Sequence, residues 1–498
     1  MSLQPLTLPA QSSQQEATLR QGRLSNGLTY YIRHNAAEPG LASFYLAQRV
    51  GSILEMPHQR GLAHFLEHMA FNGSTHFRGE GASPGLISWC ESVGIKFGTN
   101  LNACTGVDRT VYHISAAPVK RQGVVDSCLL ILRDWCDGLL LKEKAIDKER
   151  CVVREEWRTR RTGMAVARMM EDAFPVIFKG SKYEDAMPIG HLDVINNFSP
   201  DALRDYYNKW YRPDLQAVVI VGDVDVNVIE SQIKRQFGGL SLPPNAPQRR
   251  YYPVADNKRM ITHVMRDAEQ PIALAHLYMK RDVKPTSVRS SERYQQEIYE
   301  HDLICLMLNE RLSKQQSGAK APFTAASVKD GKFLIVQTKK AFSLSVSCKG
   351  DQIEAGLSAA VGLLEQARQW GFTTGELTRA KAILRNKAER CNNQRGQLAN
   401  HHYVKQCLDH YLYGEPILST AEELHVRRKF DAELTLADVN TAIKELVTDR
   451  NQVLLLYAPQ KADFRVPSTE QLERCVRGAQ KKSYPAYQEC VRPKMLLT

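Results

Sequence analysis

His64-Phe65-Leu66-Glu67-His68 is the stretch from which the rest of the chain is read. Two histidines four residues apart on a helix project from one face, so both imidazoles can reach a single metal ion. Glu67 lies one turn from His64, where a carboxylate can take a proton from a water held by that metal. The H-x-x-E-H order inverts the H-E-x-x-H arrangement of zinc-dependent hydrolytic sites. A site of this kind needs a third ligand on another rigid element, a surface for substrate and a way to exclude water.

Composition narrows the alternatives. A chain of 498 residues is too long for one ordinary core, and its length predicts two to four domains. Hydrophobic content of 43% and charged content of 24% are those of a soluble globular protein. No apolar run approaches the ~20 residues that span a bilayer, so no membrane span is expected. Residues 1–20 read as a polar, flexible leader without the basic start and apolar centre of a secretion signal. The expected location is periplasmic if a signal has been removed and cytoplasmic otherwise. The net charge of +12 is spread along the chain. No basic block with interleaved aromatics accompanies it, so no nucleic-acid partner is expected. None of the eleven cysteines forms a C-x-x-C pair, which argues against a thiolate zinc cage or a dithiol redox motif; most are expected to be free and buried.

Order along the chain predicts two similar modules. Asn26-Gly27 between alternating apolar runs signals a hairpin. A strand over 41–50 follows, then the motif helix over 62–71 and a short helix over 84–93. A strand pair is expected at 97–105 and 109–114, and helices at 121–139 and from 143 past 160. Ser199-Pro200 opens a further helix, before a buried strand at 217–223 and a helix to about 237. The Pro-rich stretch after Leu240 reads as a linker. Beyond it the pattern predicts strands at 272–279, 323–328, 333–338 and 342–348, with a helix at 290–314 after the first. Helices at 352–369 and 374–412, a shorter pair and a strand at 452–457 complete it. The fold class is α+β: two copies of a mostly antiparallel sheet covered by helices, at 21–240 and 261–498, joined by a linker at 241–260. The second copy lacks H-x-x-E-H, so only the first is expected to be catalytic.

The helix over 146–157 offers the third ligand. Glu149 and Glu156 are seven residues apart and share a face, while Glu155 lies about 100° round from Glu156. The residues alone leave Glu155 and Glu156 open.

The stretch from Gly61 through His64, Glu67 and His68 to Asn72-Gly73-Ser74 resembles the active-site helix of the insulinase/pitrilysin family of zinc metallopeptidases. Glu149-Arg150-x-x-Val153-x-x-Glu156 is similar to that family's downstream ligand helix. The resemblance implies one Zn2+ per chain held by His64, His68 and Glu156, with Glu67 as general base and Glu149 supporting the site. Glu155 remains the alternative ligand by one step of register. Asn102-Ala103-Cys104-Thr105 with Thr110-Val111-Tyr112 resembles the family's substrate-accepting strand pair, which implies that Asn102, Ala103 and Thr105 bind peptide. Tyr206 through Trp210-Tyr211-Arg212-Pro213 to Asp223 resembles its end-of-module signature. The spacing from His68 to Glu156 is longer than usual, and an insertion near 79–85 would absorb it. The likeness rests on motifs over 22–240 and on architecture over 260–498, and is strongest to bacterial envelope members. It implies a metalloendopeptidase for unfolded peptides, working in a clamshell of which this chain is half. The other half would come from a second chain, as in a homodimer, or from downstream sequence. The alternative is a non-catalytic, chaperone-like or scaffolding subunit. His113, His401, His402 and His410 are read as structural.

Overall fold

Asn26-Gly27 reverses the chain as that pair should. Gly27 takes φ 97°, which glycine adopts without strain, and Arg23 pairs antiparallel with Thr29 across the turn. The computed structural model describes residues 19–81, 83–163, 165–316 and 321–489. The expected leader therefore lies outside the described residues as far as residue 18, and Arg20 already begins the first strand.

The first sheet is built from β1 (Arg20–Arg23), β2 (Thr29–His34), β3 (Leu41–Gln48), β6 (Leu101–Thr105), β7 (Thr110–Pro118) and β8 (Gln216–Gly222). A separate small hairpin, β4 (Arg78–Glu80) with β5 (Ser83–Gly85), occupies the expected insertion. The second sheet comprises β9 (Ile261–Asp267), β10 (Leu274–Asp282), β11 (Phe323–Lys332), β12 (Lys339–Cys348) and β13 (Gln452–Pro459). Strand order is β1-β2-β8-β3-β7-β6 in the first and β11-β12-β10-β13-β9 in the second. Each sheet has one parallel pair, β2 with β8 and β9 with β13, and is otherwise antiparallel. Matched strand for strand, β2, β8, β3, β7 and β6 correspond to β9, β13, β10, β12 and β11. The repeat expected from element order is thus a repeat of sheet topology. β8 and β13 are buried at every position, as their continuous apolar runs require of strands covered on both faces.

The covering of the first sheet is unequal in origin. Tyr30, Ile32, Phe44, Leu46, Val218 and Ile220 face the helices of the same module. The alternate residues Tyr31, Ala47, Val219 and Val221 pack on Tyr403, Val404, Cys407 and Tyr411, from a helix in the second half of the chain. That helix, Asn400–Tyr413, corrects the expectation of one helix over 374–412. The chain makes Thr374–Asn393, a 3-10 turn at Arg395–Gln397, and then Asn400–Tyr413. Gly396 weakens the run locally. The first module fixes where the new helix starts: Glu38 Oε2 accepts from the Asn400 backbone N–H at 2.5 Å, and Asn35 Nδ2 donates to Asn400 Oδ1 at 2.8 Å.

The strand expected at 333–338 is not a strand. It connects β11 to β12, with Leu334 at φ 50°. Its residues are apolar because the loop is buried at the junction between the sheets, Phe333 meeting Phe178 and Tyr278 edge-on at 5.9 and 5.4 Å. β9 and the helix Thr469–Lys481 were not anticipated. Among the described residues no helix is long and apolar enough to cross a membrane. The ten described cysteines are free, five of them buried; Cys490 lies outside the described residues.

Candidate metal centre

The motif helix runs Leu62–Met69, two turns long, with Leu62, Phe65, Leu66 and Met69 buried on one side. A helix so short gains little from propagation and must be held by its surroundings. Gly61 ahead of it takes φ 103°, a backbone conformation that strains other residues, and a Cβ there would crowd Gly190 Cα at 3.1 Å. No side chain at the cap position serves the first turn. Glu55, fully buried, accepts instead from the Gly61 and Ala63 backbone N–H groups at 3.1 and 2.7 Å. Burial lifts the Glu55 carboxyl to about 8, against the opposing pull of those N–H groups and of Arg60.

The second helix of the site, Glu143–Gly163, buries Ile146 and Val153 seven residues apart. Glu149 and Glu156 repeat that spacing and face the motif helix. Arg150 ties this helix to the segment behind the motif, donating to Ile195 O and Phe198 O, both at 2.6 Å, while its guanidinium lies over the Phe198 ring. Phe198 in turn meets Phe65 edge-on at 4.9 Å.

These two helices bring His64, His68 and Glu156 together. Glu156 Oε2 lies 3.1 Å from His68 Nε2 and 3.5 Å from His64 Nε2, and the three ligand atoms all fall within 4.8 Å of one another. Zinc bonds of about 2.0–2.1 Å at tetrahedral angles set ligand atoms about 3.3 Å apart, so the donor types and the 3.1 and 3.5 Å separations from Glu156 suit that ion. Glu149 Oε1 accepts from His68 Nδ1 at 2.9 Å, and Asn72 Nδ2 holds its other oxygen at 2.8 Å. With Nδ1 donating, His68 keeps Nε2 for a ligand, the carboxylate–imidazole arrangement common behind metal sites. Glu155 takes no part: it is exposed and paired with Arg158. Of the two candidates, Glu156 is the one that lies beside His64 and His68.

Charge is unevenly divided. Burial, and then the neighbouring His68, lower His64 to about 4. Burial also disfavours charge on His68, but Glu149 and Glu156 outweigh it and raise His68 to about 9. The hydrogen bond from His68, ahead of the charges of His64 and Arg160, holds Glu156 down to about 2. Glu149 is lowered too: burial would raise it, but His68 and Asn72 prevail. Glu67 is raised by burial, with Thr105 opposing. Its Oε2 and the Thr105 Oγ1 are both buried and near one another, but not aligned as a hydrogen bond.

The residues assigned to substrate separate. Thr105 sits beside Glu67. Asn102 and Ala103 lie farther along β6, Asn102 about 10 Å away at strand rise. Among the described residues β7 is the one strand paired with β6, and beyond the isolated bridge from Phe97 to Leu101 its second edge is open. Asn102 folds back on that strand, donating to Gly98 O at 3.1 Å and accepting from the Ala103 N–H at 2.8 Å. His113, opposite Asn102 in register, stacks on Tyr45 at 5.0 Å. His410 bonds Tyr31 through Nδ1 at 2.7 Å, in the seam under the helix Asn400–Tyr413. The sequence reading missed Asn72, Glu55 and Arg160. Asn72 and Arg160 follow site residues at i+4, a spacing visible in the sequence; Glu55 has no local signal.

Residues 38–174 match the family model described as "Insulinase (Peptidase family M16)", and residues 197–384 the model "Peptidase M16 inactive domain". The "Zinc protease PQQL-like" of Arabidopsis thaliana is 27% identical over 442 residues, 89% of this chain and 42% of that protein. The "Probable zinc protease PqqL" of Escherichia coli (strain K12) is 26% identical over 436 residues, 87% of this chain and 45% of that protein. The chain thus spans under half the length of these relatives. In fold it superposes on the solved first half of the periplasmic protease PqqL from Escherichia coli with a TM-score of 0.83 at 24% identity, covering 96% of this chain and 100% of that one. Against the longer PqqL structure the TM-score is 0.84, over 97% of this chain and 52% of that one. Two family models in tandem, with relatives aligned along nearly nine-tenths of its length, place this chain in the insulinase family of peptidases.

Proposed function

We propose that the chain is the zinc-binding half of a metalloendopeptidase that hydrolyses unfolded peptides. The observation that carries this reading is the convergence of His64 Nε2, His68 Nε2 and Glu156 Oε2, with Glu149 behind His68. Those three atoms would hold the ion. Zinc supplies Lewis acidity there, acidifying an attacking water and polarising the scissile carbonyl. Glu67 accepts the proton of that water and delivers it to the departing amine nitrogen as the C–N bond breaks. Its burial favours this work, since a carboxyl held above its usual range is the stronger base. Thr105 keeps the strand backbone against Glu67. The open edge of β6 takes the peptide as an added strand. Pairing through main-chain groups gives register without demanding particular side chains. Asn102 must release the Ala103 N–H for that edge to be used along its whole length.

The relatives' greater length supports a second half, contributed by another copy, another chain or further sequence, that closes over this open edge. A scaffolding role is the competing reading, and the complete ligand set with its supporting carboxylate speaks against it. Glu67→Gln separates the two. The variant should keep one zinc per chain by metal analysis while cleavage of a quenched peptide falls at least about 100-fold, assayed on the chain at its measured molecular mass. Retained cleavage after loss of zinc would sink the proposal.

A further inference from the structure

Among the described residues, Arg160 is the guanidinium paired with Glu156. It follows Glu156 by four residues on the same helix, and its Nη2 lies 2.6 Å from Glu156 Oε1. The carboxylate is therefore divided: Oε1 is taken by Arg160, and Oε2 alone faces the two imidazoles at 3.1 and 3.5 Å. Neighbouring basic residues do otherwise, Arg158 pairing with the exposed Glu155 and Arg154 reaching back to Cys151.

We propose that Arg160 is a positioning residue that restricts Glu156 to binding the metal through one oxygen. This rests on the reading of the site as a metal centre. A carboxylate free on both oxygens can chelate an ion with both, and a second oxygen would occupy the position that a zinc hydrolase leaves open for water. With Oε1 held in an ion pair with a planar, permanently charged guanidinium, that second contact is blocked. The Arg160 charge is also felt at His64 and at Cys104 on β6. The bland alternative is a half-exposed i,i+4 ion pair of negligible worth, so the consequence must be read at the metal.

The experiment compares wild type, Arg160→Ala and Arg160→Lys by chelator competition for zinc and by the visible spectrum of the cobalt(II)-substituted proteins. Thermal melts of the metal-free proteins serve as the folding control. Arg160→Ala should weaken zinc binding by about 10–100-fold, the usual cost of losing a partner behind a ligand. Its cobalt bands should also lose intensity, because a two-oxygen Glu156 raises the coordination number and five-coordinate cobalt(II) absorbs less than four-coordinate. Arg160→Lys keeps a donor and a charge within reach and should recover most of both signals. Zinc affinity within twofold of wild type together with an unchanged cobalt spectrum in Arg160→Ala overturns the inference. Weakened affinity with an unchanged spectrum also overturns it, since it would show a charge effect without a change of ligation. Failure of the wild type itself to bind zinc or cobalt would overturn the metal centre, a different outcome.

Discussion

The two modules share a sheet, yet among the described residues only the first gathers side chains that could hold a metal ion. Between β3 and β6 the first module forms the two-turn helix Leu62–Met69. Between the corresponding β10 and β11 the second forms Glu292–Gln315, 24 residues long. That helix contains Glu297-Ile298-Tyr299-Glu300-His301, the spacing of the motif with Glu in place of its first His. What differs most is the partner given to each charged group. His301 Nδ1 is bound to Asp330 on β11 at 2.9 Å, and Arg281 holds the same carboxylate at 2.6 Å. Glu365 is paired with Arg368, and Glu376 with the wholly buried Arg311. A guanidinium never gives up its charge, so these carboxylates are committed to ion pairs. In the first module Glu149 and Glu156 face imidazoles, which can exchange a proton for a metal. The lesson lies in which oxygen is taken: Arg160 and the imidazoles divide the two oxygens of Glu156, whereas Arg281 and His301 share one oxygen of Asp330 and Arg311 takes both of Glu376.

The largest effect tests that contrast directly. His64→Ala or Glu156→Gln removes a ligand and should lower zinc affinity on the order of a thousandfold or more, beyond the 10–100-fold cost of an outer partner. His301→Ala should leave one zinc per chain. Metal analysis after dialysis distinguishes them, and zinc lost from His301→Ala would erase the distinction between the modules.

Next in size is the stability held by the second module's ion pairs. Arg311 donates to both oxygens of Glu376 at 2.6 and 2.8 Å, with neither side chain exposed. Glu376→Gln strands a buried guanidinium and should cost about 3 kcal/mol in denaturant unfolding, with zinc stoichiometry unchanged. An equal loss of zinc would mean that the second module acts on the site rather than merely supporting the fold.

These contrasts also explain what the sequence could tell. The motif helix, the ligand helix and the Glu149–Glu156 spacing were legible because i,i+4 and i,i+7 are properties of one helix, independent of the rest of the chain. The break between Thr374–Asn393 and Asn400–Tyr413 was not. Glu38 and Asn35, more than 360 residues away in sequence, fix the start of the second helix. Phe333 reads as strand because it is apolar, yet its burial comes from Phe178 in the other module. Glu149 could be placed near the site but not joined to His68 and Asn72, since that needs the crossing of two helices. Thr105 was assigned to substrate with Asn102 and Ala103, although its side chain turns inward beside Glu67; alternation along β6 gives the two faces but not which of them meets the motif helix.

The smallest effect concerns how each module anchors its helix. Glu292–Gln315 is long and begins at Ser291, whose hydroxyl accepts from the Tyr294 N–H, an arrangement indifferent to pH. The short motif helix depends on the buried Glu55, whose carboxyl rises from an ordinary 4.5 to about 8. The folded chain therefore keeps a proton that the unfolded chain releases near 4.5. The stability this contributes is complete below 4.5 and is lost as pH rises through about 8. One such group imposes a slope of at most ~1.4 kcal/mol per pH unit. Glu55→Gln, a neutral mimic of the protonated acid, should flatten the dependence of unfolding free energy on pH between 5 and 8, whatever its effect on absolute stability. A slope as steep in Glu55→Gln as in wild type would assign the dependence to other groups, and the anchoring of the two helices would then not differ in their response to pH.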